Sequence, residues 1–411
     1  MNNILRLVGR KTAFATPAVL MFSLLSGCAS NDDNPDTQPA PRPEVNNQIS
    51  VKKVWSESVG DGVEGYYSRL KPASGYGKLF VADREGEVAA LELDSGDSVW
   101  EVDVRKPDGS WLNWFGINLA PAARVSGMVA SYEHVYVGTE NGQIIALDEK
   151  TGEEKWRADV EGEVLAPAIA EDGKVIVNLG SGKTTALDAK DGKEIWTSVS
   201  DVPSLTLRGV STPAYTQGGV FVGSAGGKVI TYNAKNGQLA WDLAIAKPKG
   251  ATELARIVDI DATPLISGFN LYALSAGGSL SMVDIRNARV AWTREYRGYQ
   301  NMYMYTGTLI LSDDHSVVYA VDSRNGVEKW ANTKLRNRRL TGAAVLDGYV
   351  IVGDFEGYIY FLDMANGEIK YSTQLSSDEL LAQAEIVEDI AYIQTRDGKV
   401  YALRITQDDS E

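Results

Sequence analysis

Cysteine is almost absent from this chain, since Cys28 is the only one among 411 residues. A lone cysteine excludes an intramolecular disulfide, an adjacent-cysteine pair and a Cys-x-x-Cys-His haem attachment site. Histidine is equally scarce, and the two that exist, His134 and His315, lie in dissimilar contexts without metal-ligand spacing. We expect both imidazoles to be hydrogen-bonded or solvated rather than metal ligands.

Positive charge is also in deficit, with 40 Lys and Arg against 55 Asp and Glu and a net charge of −15. Such an acidic chain is a poor match for nucleic acid or for an anionic surface. A long hydrophobic run is missing as well. The apolar stretch TAFATPAVLMFSLL at 12–25 is short and interrupted at Pro17, which disfavours a membrane-spanning helix of about 20 residues.

The N-terminus has the organisation of a secretory signal peptide, with three cations before that apolar stretch and LSGC, ending at Cys28, after it. LSGC resembles the bacterial lipobox, which implies cleavage of residues 1–27 and acylation of Cys28. Ala29 and Ser30 follow, where an aspartate would resemble the inner-membrane retention signal. The resemblance therefore implies an outer-membrane lipoprotein on the periplasmic side.

The segment after the lipobox is rich in proline, with four between residues 31 and 48 and few large apolar side chains. This composition predicts that residues 28–48 form a lipidated, disordered tether. Without residues 1–27 the chain keeps 37 cations against 55 acids, a balance of −18. The rest, 49–411, is predicted to be one folded domain.

That domain repeats one phrase: an apolar strand, an Asp or Asn turn that mostly closes on Gly, and a strand ending in an aromatic residue. Each copy predicts a β-hairpin. The aromatic ends recur every 38 to 56 residues, a period typical of propeller blades. The copies are ALELDSGDSVW (90–100), ALDEKTGEEKW (146–156), ALDAKDGKEIW (186–196), TYNAKNGQLAW (231–241), MVDIRNARVAW (282–292), AVDSRNGVEKW (320–330) and FLDMANGEIKY (361–371).

A second strand pair precedes most of these hairpins, so each unit is predicted to be a four-stranded blade. The last unit, AYIQTRDGKVYALRI (391–405), lacks the aromatic strand, whereas VKKVWSESV (51–59) carries Trp55 with no hairpin before it. We predict that this N-terminal strand completes the last blade. The fold class is therefore all-β, an eight-bladed propeller closed by its terminal strands.

The repeated tryptophans are expected to be structural, each burying about 150–250 Å² against the neighbouring blade. The turn glycines supply the positive φ that such turns need, and Ala288 is the one departure. The phrase resembles the repeat of pyrroloquinoline-quinone (PQQ) propellers, which include both quinone dehydrogenases and proteins that bind no cofactor.

A PQQ-dependent dehydrogenase is the alternative function, but it would also carry a Ca²⁺ site, a catalytic Asp and an adjacent-cysteine pair or equivalent. We find no such set, and a single cysteine excludes the pair. We therefore expect no catalytic residue, no cofactor and no metal, which favours a binding scaffold. A weaker alternative is a propeller that binds sugars or peptides.

The lipobox, the tether and the eight-bladed ring together resemble the BamB family, lipoproteins of the outer-membrane β-barrel assembly (BAM) machinery. VPSLTLRGVSTPAY (202–215) matches the family's L-x-L-R-G segment, and LARIVDIDATP (254–264) matches its D-x-D segment. The resemblance implies a scaffold that docks on a POTRA domain of the barrel subunit, BamA, and helps to deliver unfolded barrel proteins. It assigns the contact to Leu205, Leu207, Arg208, Asp259 and Asp261.

The residues themselves support this assignment in part. Leu205 and Leu207 alternate, so in an extended segment they share one face, with Arg208 as a charged rim. Asp259 and Asp261 share a face by the same rule, and we expect them to pair with a basic partner or with Arg208. The alternative is that the leucines fill a blade core and the aspartates cap turns. If the five residues form the contact with the partner, their two segments should be adjacent exposed loops on one side of the ring.

Two further segments lie outside the repeat and are rich in aromatic residues or methionine. The first, 103–127, contains Trp111 and Trp114, and the second, 295–307, contains four tyrosines and two methionines. Each is either a partner-facing or client-facing patch or part of the packing between blades.

Overall fold

The ring predicted from the repeats is confirmed by a computed structural model, which describes residues 37–106 and 120–406. The described strands form eight four-stranded antiparallel sheets, each a blade of a β-propeller. Blades 1 to 7 are simple meanders, and blade 8 combines strands from both ends of the chain. A 3₁₀ turn, Leu254–Arg256, lies in the connection between blades 4 and 5.

The strands are numbered along the chain, starting with β1 (Ser50–Ser58). Blades 1 to 4 are β2 (Ala73–Gly75), β3 (Lys78–Ala82), β4 (Glu87–Glu92), β5 (Ser98–Asp103); β6 (Val125–Ser131), β7 (His134–Thr139), β8 (Gln143–Asp148), β9 (Glu154–Asp159); β10 (Ile169–Glu171), β11 (Lys174–Asn178), β12 (Lys183–Asp188), β13 (Glu194–Val199); β14 (Ala214–Thr216), β15 (Gly219–Gly223), β16 (Lys228–Asn233), β17 (Leu239–Ala244). Blades 5 to 8 are β18 (Leu265–Ser267), β19 (Asn270–Ser275), β20 (Ser279–Asp284), β21 (Arg289–Arg294); β22 (Tyr303–Tyr305), β23 (Thr308–Ser312), β24 (Val318–Asp322), β25 (Glu328–Asn332); β26 (Ala344–Leu346), β27 (Tyr349–Gly353), β28 (Tyr358–Asp363), β29 (Ile369–Gln374); and β30 (Glu385–Val387), β31 (Ile390–Gln394), β32 (Lys399–Thr406) with β1.

Ring closure follows the predicted pairing of the terminal strands. β1 runs antiparallel to β32, from Ser50 opposite Thr406 to Ser58 opposite Lys399. The middle strands are buried on both faces because each blade lies between two others. The run IIAL at 144–147, for example, is at most 1% exposed, as expected for a continuous apolar strand.

The tryptophans hold neighbouring blades together, as the repeat predicts. Five indole N–H groups donate to a main-chain carbonyl in the turn of the next blade at 2.8 to 3.1 Å. Each ring also lies against the turn glycine of that blade. A methyl group on Gly152, for instance, would lie 2.7 Å from the Trp100 ring, so glycine is required for close approach as well as for its φ of +72°. The five donors are Trp55, Trp100, Trp156, Trp196 and Trp330.

The turn of blade 5, which has Ala288 in place of the repeat's glycine, also differs in the structure. Ala288 takes the glycine position in the turn of blade 5 with φ +48°, which an L residue adopts only under strain. The tryptophan of the preceding blade, Trp241, is only half-buried. Among the described residues its indole N–H has no hydrogen-bond partner. Trp292, which lies against Gly326 of blade 6, is also half-buried and its indole N–H also lacks a partner in the part of the chain that the structure describes, so the missing glycine alone does not account for the looser contact.

The second off-repeat segment belongs to the packing of the ring. Met302 is buried, Tyr303–Tyr305 forms the inner strand β22, and Tyr296 packs edge-on against Tyr319 with ring centroids 5.0 Å apart. Most of the first segment, including Trp111 and Trp114, falls in 107–119 and lies outside the described residues.

The compact unit that contains the ring begins at Pro39, ten residues before the predicted boundary. The Ala40 N–H donates to the Arg336 carbonyl at 2.9 Å, and the Gln48 N–H donates to the Lys370 carbonyl at 2.8 Å. Residues 39–48 thus run from the connection between blades 6 and 7 to the outer strand of blade 7, whereas composition predicts a disordered tether to residue 48. No helix among the described residues is long and apolar enough to span a membrane.

The meander topology gives the ring two different sides. The turns between second and third strands and the connections between blades lie at the same end of every blade. We call this side the loop face. The hairpin turns of the repeat lie on the opposite side.

Candidate functional site

The two segments that resemble the family's contact loops meet on the loop face. The first lies in the connection between blades 3 and 4, and the second lies in the connection between blades 4 and 5. The Leu207 N–H donates to Asp259 Oδ2 at 2.7 Å, although 52 residues separate them in the chain. One main-chain hydrogen bond therefore fixes the two connections together.

The aspartates are buried, which corrects the expectation that all five residues are exposed. Asp259 is 1% exposed and Asp261 is 6% exposed. Burial raises the pKa of Asp259 to about 6. Burial also raises the pKa of Asp261, although the positive charge of Arg69 opposes that rise. Both carboxyls therefore lie beneath the surface and support the loops from inside the ring.

The surroundings of Gly209 explain why the L-x-L-R-G segment ends in glycine. A methyl group added there would overlap the Asp261 carboxylate and lie 3.1 Å from an Arg69 nitrogen. The close approach of this backbone to Asp261 needs a residue without a side chain. The D-x-D segment and the glycine thus fit each other across two connections.

Arg208 pairs with two glutamates. This corrects the expectation that it could pair with the two aspartates. Its Nη2 lies 2.8 Å from Glu140 Oε2 and 3.7 Å from Glu163 Oε1. The same Glu140 oxygen accepts a hydrogen bond from Arg84 Nη2 at 3.0 Å, and the Arg84 guanidinium lies 3.8 Å from the centre of the Tyr66 ring. The Arg208 side chain remains 54% exposed, so it is held in place yet open to a partner.

The two leucines line separate cavities, so they do not share one apolar face. Leu205, 44% exposed, lines a groove of about 220 Å³ with Pro203, Pro248 and Ile257. Leu207 is half-buried and lines a second groove of about 240 Å³. Their alternation is real, but the main-chain bond to Asp259 places Leu207 deeper than Leu205.

Sequence reasoning missed the two glutamates that hold Arg208. Glu140 lies in the second-to-third strand turn of blade 2, and Glu163 lies in the connection that follows that blade. Acidic residues are common in such turns, and the 68 residues between Glu140 and Arg208 carry no local signal. Only the ring topology brings them together.

The inner strands surround a central cavity of about 500 Å³, the place where a quinone cofactor would have to fit. Its Lys71 is paired with Glu385 at 2.6 Å, and Ser74 donates to the same carboxylate at 2.9 Å. Among the described residues, no three His, Cys, Asp or Glu side chains lie close enough together to hold a metal ion. This charge-balanced lining is a poor fit for a polycarboxylate quinone and Ca²⁺.

Comparison with known proteins identifies the family. A family profile described as outer membrane protein assembly factor BamB matches residues 84–332. The BamB of Shewanella oneidensis is 40% identical over 81% of this chain and 83% of its own length. The chain belongs to the BamB family. The Escherichia coli BamB is 36% identical over 81% of this chain and 83% of its own length.

Solved structures agree on the fold. The crystal structure of BamB from Moraxella catarrhalis superposes with a TM-score of 0.76 at 24% identity, covering 86% of this chain and all of that one. A quinohemoprotein alcohol dehydrogenase from Comamonas testosteroni reaches a TM-score of 0.68 at 14% identity, covering 89% of this chain and 78% of that one. The dehydrogenase shares the propeller architecture only. Family membership places the chain with the assembly factors rather than with the quinone enzymes.

The buried position of Asp259 gives a prediction that separates a supporting role from a direct contact. Asp259→Asn keeps an acceptor for the Leu207 N–H and removes a buried charge, so we expect unchanged docking and a gain of about 1–3 kcal/mol at pH 7. The folded-state pKa is raised from 3.8 to about 6, so wild-type stability falls as pH rises through that window. Asp259→Ala, which also loses the acceptor, should weaken docking.

Melting curves of wild type and Asp259→Asn between pH 4 and pH 7 check this prediction. The stability difference between them should widen as pH rises. Asp191→Asn is the matched control, because the exposed Asp191 pairs with Lys193 and its pKa is lowered. Parallel melting profiles would show that the Asp259 charge does not destabilise the fold, and loss of docking in Asp259→Asn would show that this charge contacts the partner.

Proposed function

We propose that this protein is a non-enzymatic scaffold of the BAM machinery, anchored in the outer membrane through acylated Cys28. In this proposal the segment 203–209, which we call the docking loop, binds a POTRA domain of BamA. The scaffold thereby aids delivery and insertion of β-barrel proteins.

The observation that carries the proposal is the construction of the docking loop. Leu205 and Arg208 are exposed, while the backbone between them is fixed by buried Asp259. A preorganised loop with an apolar anchor and a charged rim loses little conformational entropy when it binds a protein. The family resemblance of L-x-L-R-G and D-x-D supports the choice of partner.

The anchor is consistent with the start of the ring unit at Pro39. Residues 28–38 extend to about 40 Å at most, at roughly 3.6 Å per residue. A ring held on so short a tether stays close to the membrane in which the barrel subunit is embedded. The charge of −18 that remains without residues 1–27 does not favour direct adhesion to an anionic surface.

Affinity purification of the full chain from detergent-solubilised membranes tests this proposal. Wild type should fractionate with the outer membrane, carry lipid on Cys28 and retain the barrel subunit. Cys28→Ala should be soluble or remain unprocessed. Recovery of non-lipidated wild type in the soluble periplasmic fraction would contradict the anchor, and purification without the barrel subunit would contradict the docking.

A further inference from the structure

The first part of the connection between blades 4 and 5, residues 245–258 ahead of the buried Asp259 and Asp261, is basic in an acidic protein. It carries Lys247, Lys249 and Arg256 against the single acid Glu253, whereas the whole chain has a net charge of −15. All four side chains belong to exposed residues. Within the described parts of the chain, no acidic side chain forms an ion pair with any of these three cations. The cations are therefore available to a partner.

The same connection presents Leu254, whose exposed fraction of 73% exceeds that of the other large apolar side chains described. Leu254 lies in the 3₁₀ turn, in which the Ala255 N–H donates to Thr252 Oγ1 at 3.2 Å and the Arg256 N–H donates to the Glu253 carbonyl at 3.1 Å. Single exposed leucines are common. Here, however, a locally hydrogen-bonded turn holds the leucine among unpaired cations.

This basic, apolar surface is continuous with the docking loop. The groove of about 220 Å³ is lined on one side by Leu205 and Pro203 and on the other by Pro248, Glu253, Arg256 and Ile257, so Arg256 and Glu253 balance each other at its wall while Lys247 and Lys249 lie outside it. Asp259, which holds the docking loop, is also part of its wall. The groove thus lies between an exposed leucine of one connection and the turn that carries Leu254 in the next.

We propose that residues 247–256, here called the basic patch, form a second half of the docking surface and seat an acidic segment of the protein partner. An apolar side chain of that segment packs between Leu205 and Leu254, and its carboxylates face Lys247, Lys249 and Arg256. An apolar centre with a charged rim is typical of protein interfaces. This inference rests on the proposed function and extends its site.

Charge and shape favour a protein over other occupants. An anionic membrane would attract the patch but be repelled by the rest of this acidic chain, and a flat surface makes no use of a groove. A partner segment with carboxylates gains complementary potential, which accelerates association and makes binding sensitive to salt. Leu254 adds an apolar anchor that does not depend on salt.

Binding of the full chain, in detergent, to the purified periplasmic region of the barrel subunit tests the inference. We expect Lys247→Glu/Lys249→Glu to bind at least tenfold more weakly at low salt, with the difference shrinking at high salt. Leu254→Ala should bind about 5- to 30-fold more weakly at either salt concentration. Melting temperatures should be unchanged, because all three positions are exposed.

The chain offers matched controls on other surfaces. Lys150→Glu/Lys193→Glu makes the same charge change at side chains 70% and 83% exposed in hairpin turns opposite the loop face. Leu239→Ala removes an apolar side chain 59% exposed on an outer strand. Both controls should bind within about twofold of wild type.

Three results would overturn the inference. If the basic-patch variants bind like the controls while Leu205 and Arg208 variants lose binding, the patch is no part of the site and the proposed function stands. If wild type does not bind the periplasmic region, both the inference and the proposed function are wrong. If the Lys→Glu pair instead loses binding to vesicles containing anionic phospholipid, or loses self-association measured by light scattering, the occupant is a membrane or a second copy.

Discussion

Arg338→Ala is expected to lower the free energy of unfolding by about 3–5 kcal/mol, because it leaves a buried carboxylate without its partner. The Arg338 side chain is 2% exposed, and its Nε donates to Asp354 Oδ2 at 2.8 Å. Asp354 is fully buried. Arg338 Nη1 also donates to the Ala40 carbonyl at 3.0 Å, so the same substitution should release residues 39–48 from blade 7.

Urea unfolding and hydrogen exchange of residues 39–48 measure the two effects. Arg324→Ala is the control, since Arg324 is 85% exposed and makes a surface ion pair with Asp322 at 2.7 Å. Such a pair contributes at most about 1 kcal/mol. Equal unfolding midpoints for the two variants would show that the Arg338 cluster does not stabilise the ring.

Leu205→Ala and Arg208→Ala are each expected to weaken binding to the barrel subunit by about 1–4 kcal/mol, or roughly 5- to 1000-fold. Both side chains are about half exposed, and the backbone between them is fixed by Asp259. Truncation should therefore remove contacts with the partner and leave the fold intact, with a stability change below about 0.5 kcal/mol.

Calorimetric binding, measured beside a melting curve of each variant, separates an interface role from a structural one. Leu239→Ala and Arg324→Ala control for the loss of an exposed leucine and an exposed arginine elsewhere. Lost binding with an unchanged melt supports the docking loop. A large fall in melting temperature with proportionate loss of binding would mean that Leu205 and Arg208 hold the ring together.

The ring could be predicted because each hairpin is encoded by a short local segment and these segments recur along the sequence. Each hairpin carries its own strands and turn, and the unpaired strand around Trp55 supplies what the last blade lacks. The docking loops were predictable as segments by resemblance, but the depth of each side chain was not. Alternation along a strand shows which side chains share a direction, and it does not show that Asp259 is covered by neighbouring connections.

Contacts made by the main chain also escape sequence patterns. Residues 39–48 contain few apolar side chains, and composition therefore predicts disorder. In the structure the segment is held by hydrogen bonds from Ala40 and Gln48 to backbone carbonyls of the connection between blades 6 and 7 and of blade 7. Likewise, Glu140 and Arg208 meet only because the ring places their connections side by side.

The most direct measurement is photocrosslinking in cells from a benzoylphenylalanine placed at position 205. Position 239, on the exposed outer strand of blade 4, is the control. Docking through the 203–209 loop predicts an adduct that contains the barrel subunit from position 205 and none from position 239. No such adduct from position 205, or equal adducts from both positions, would contradict the assignment of this loop as the docking site.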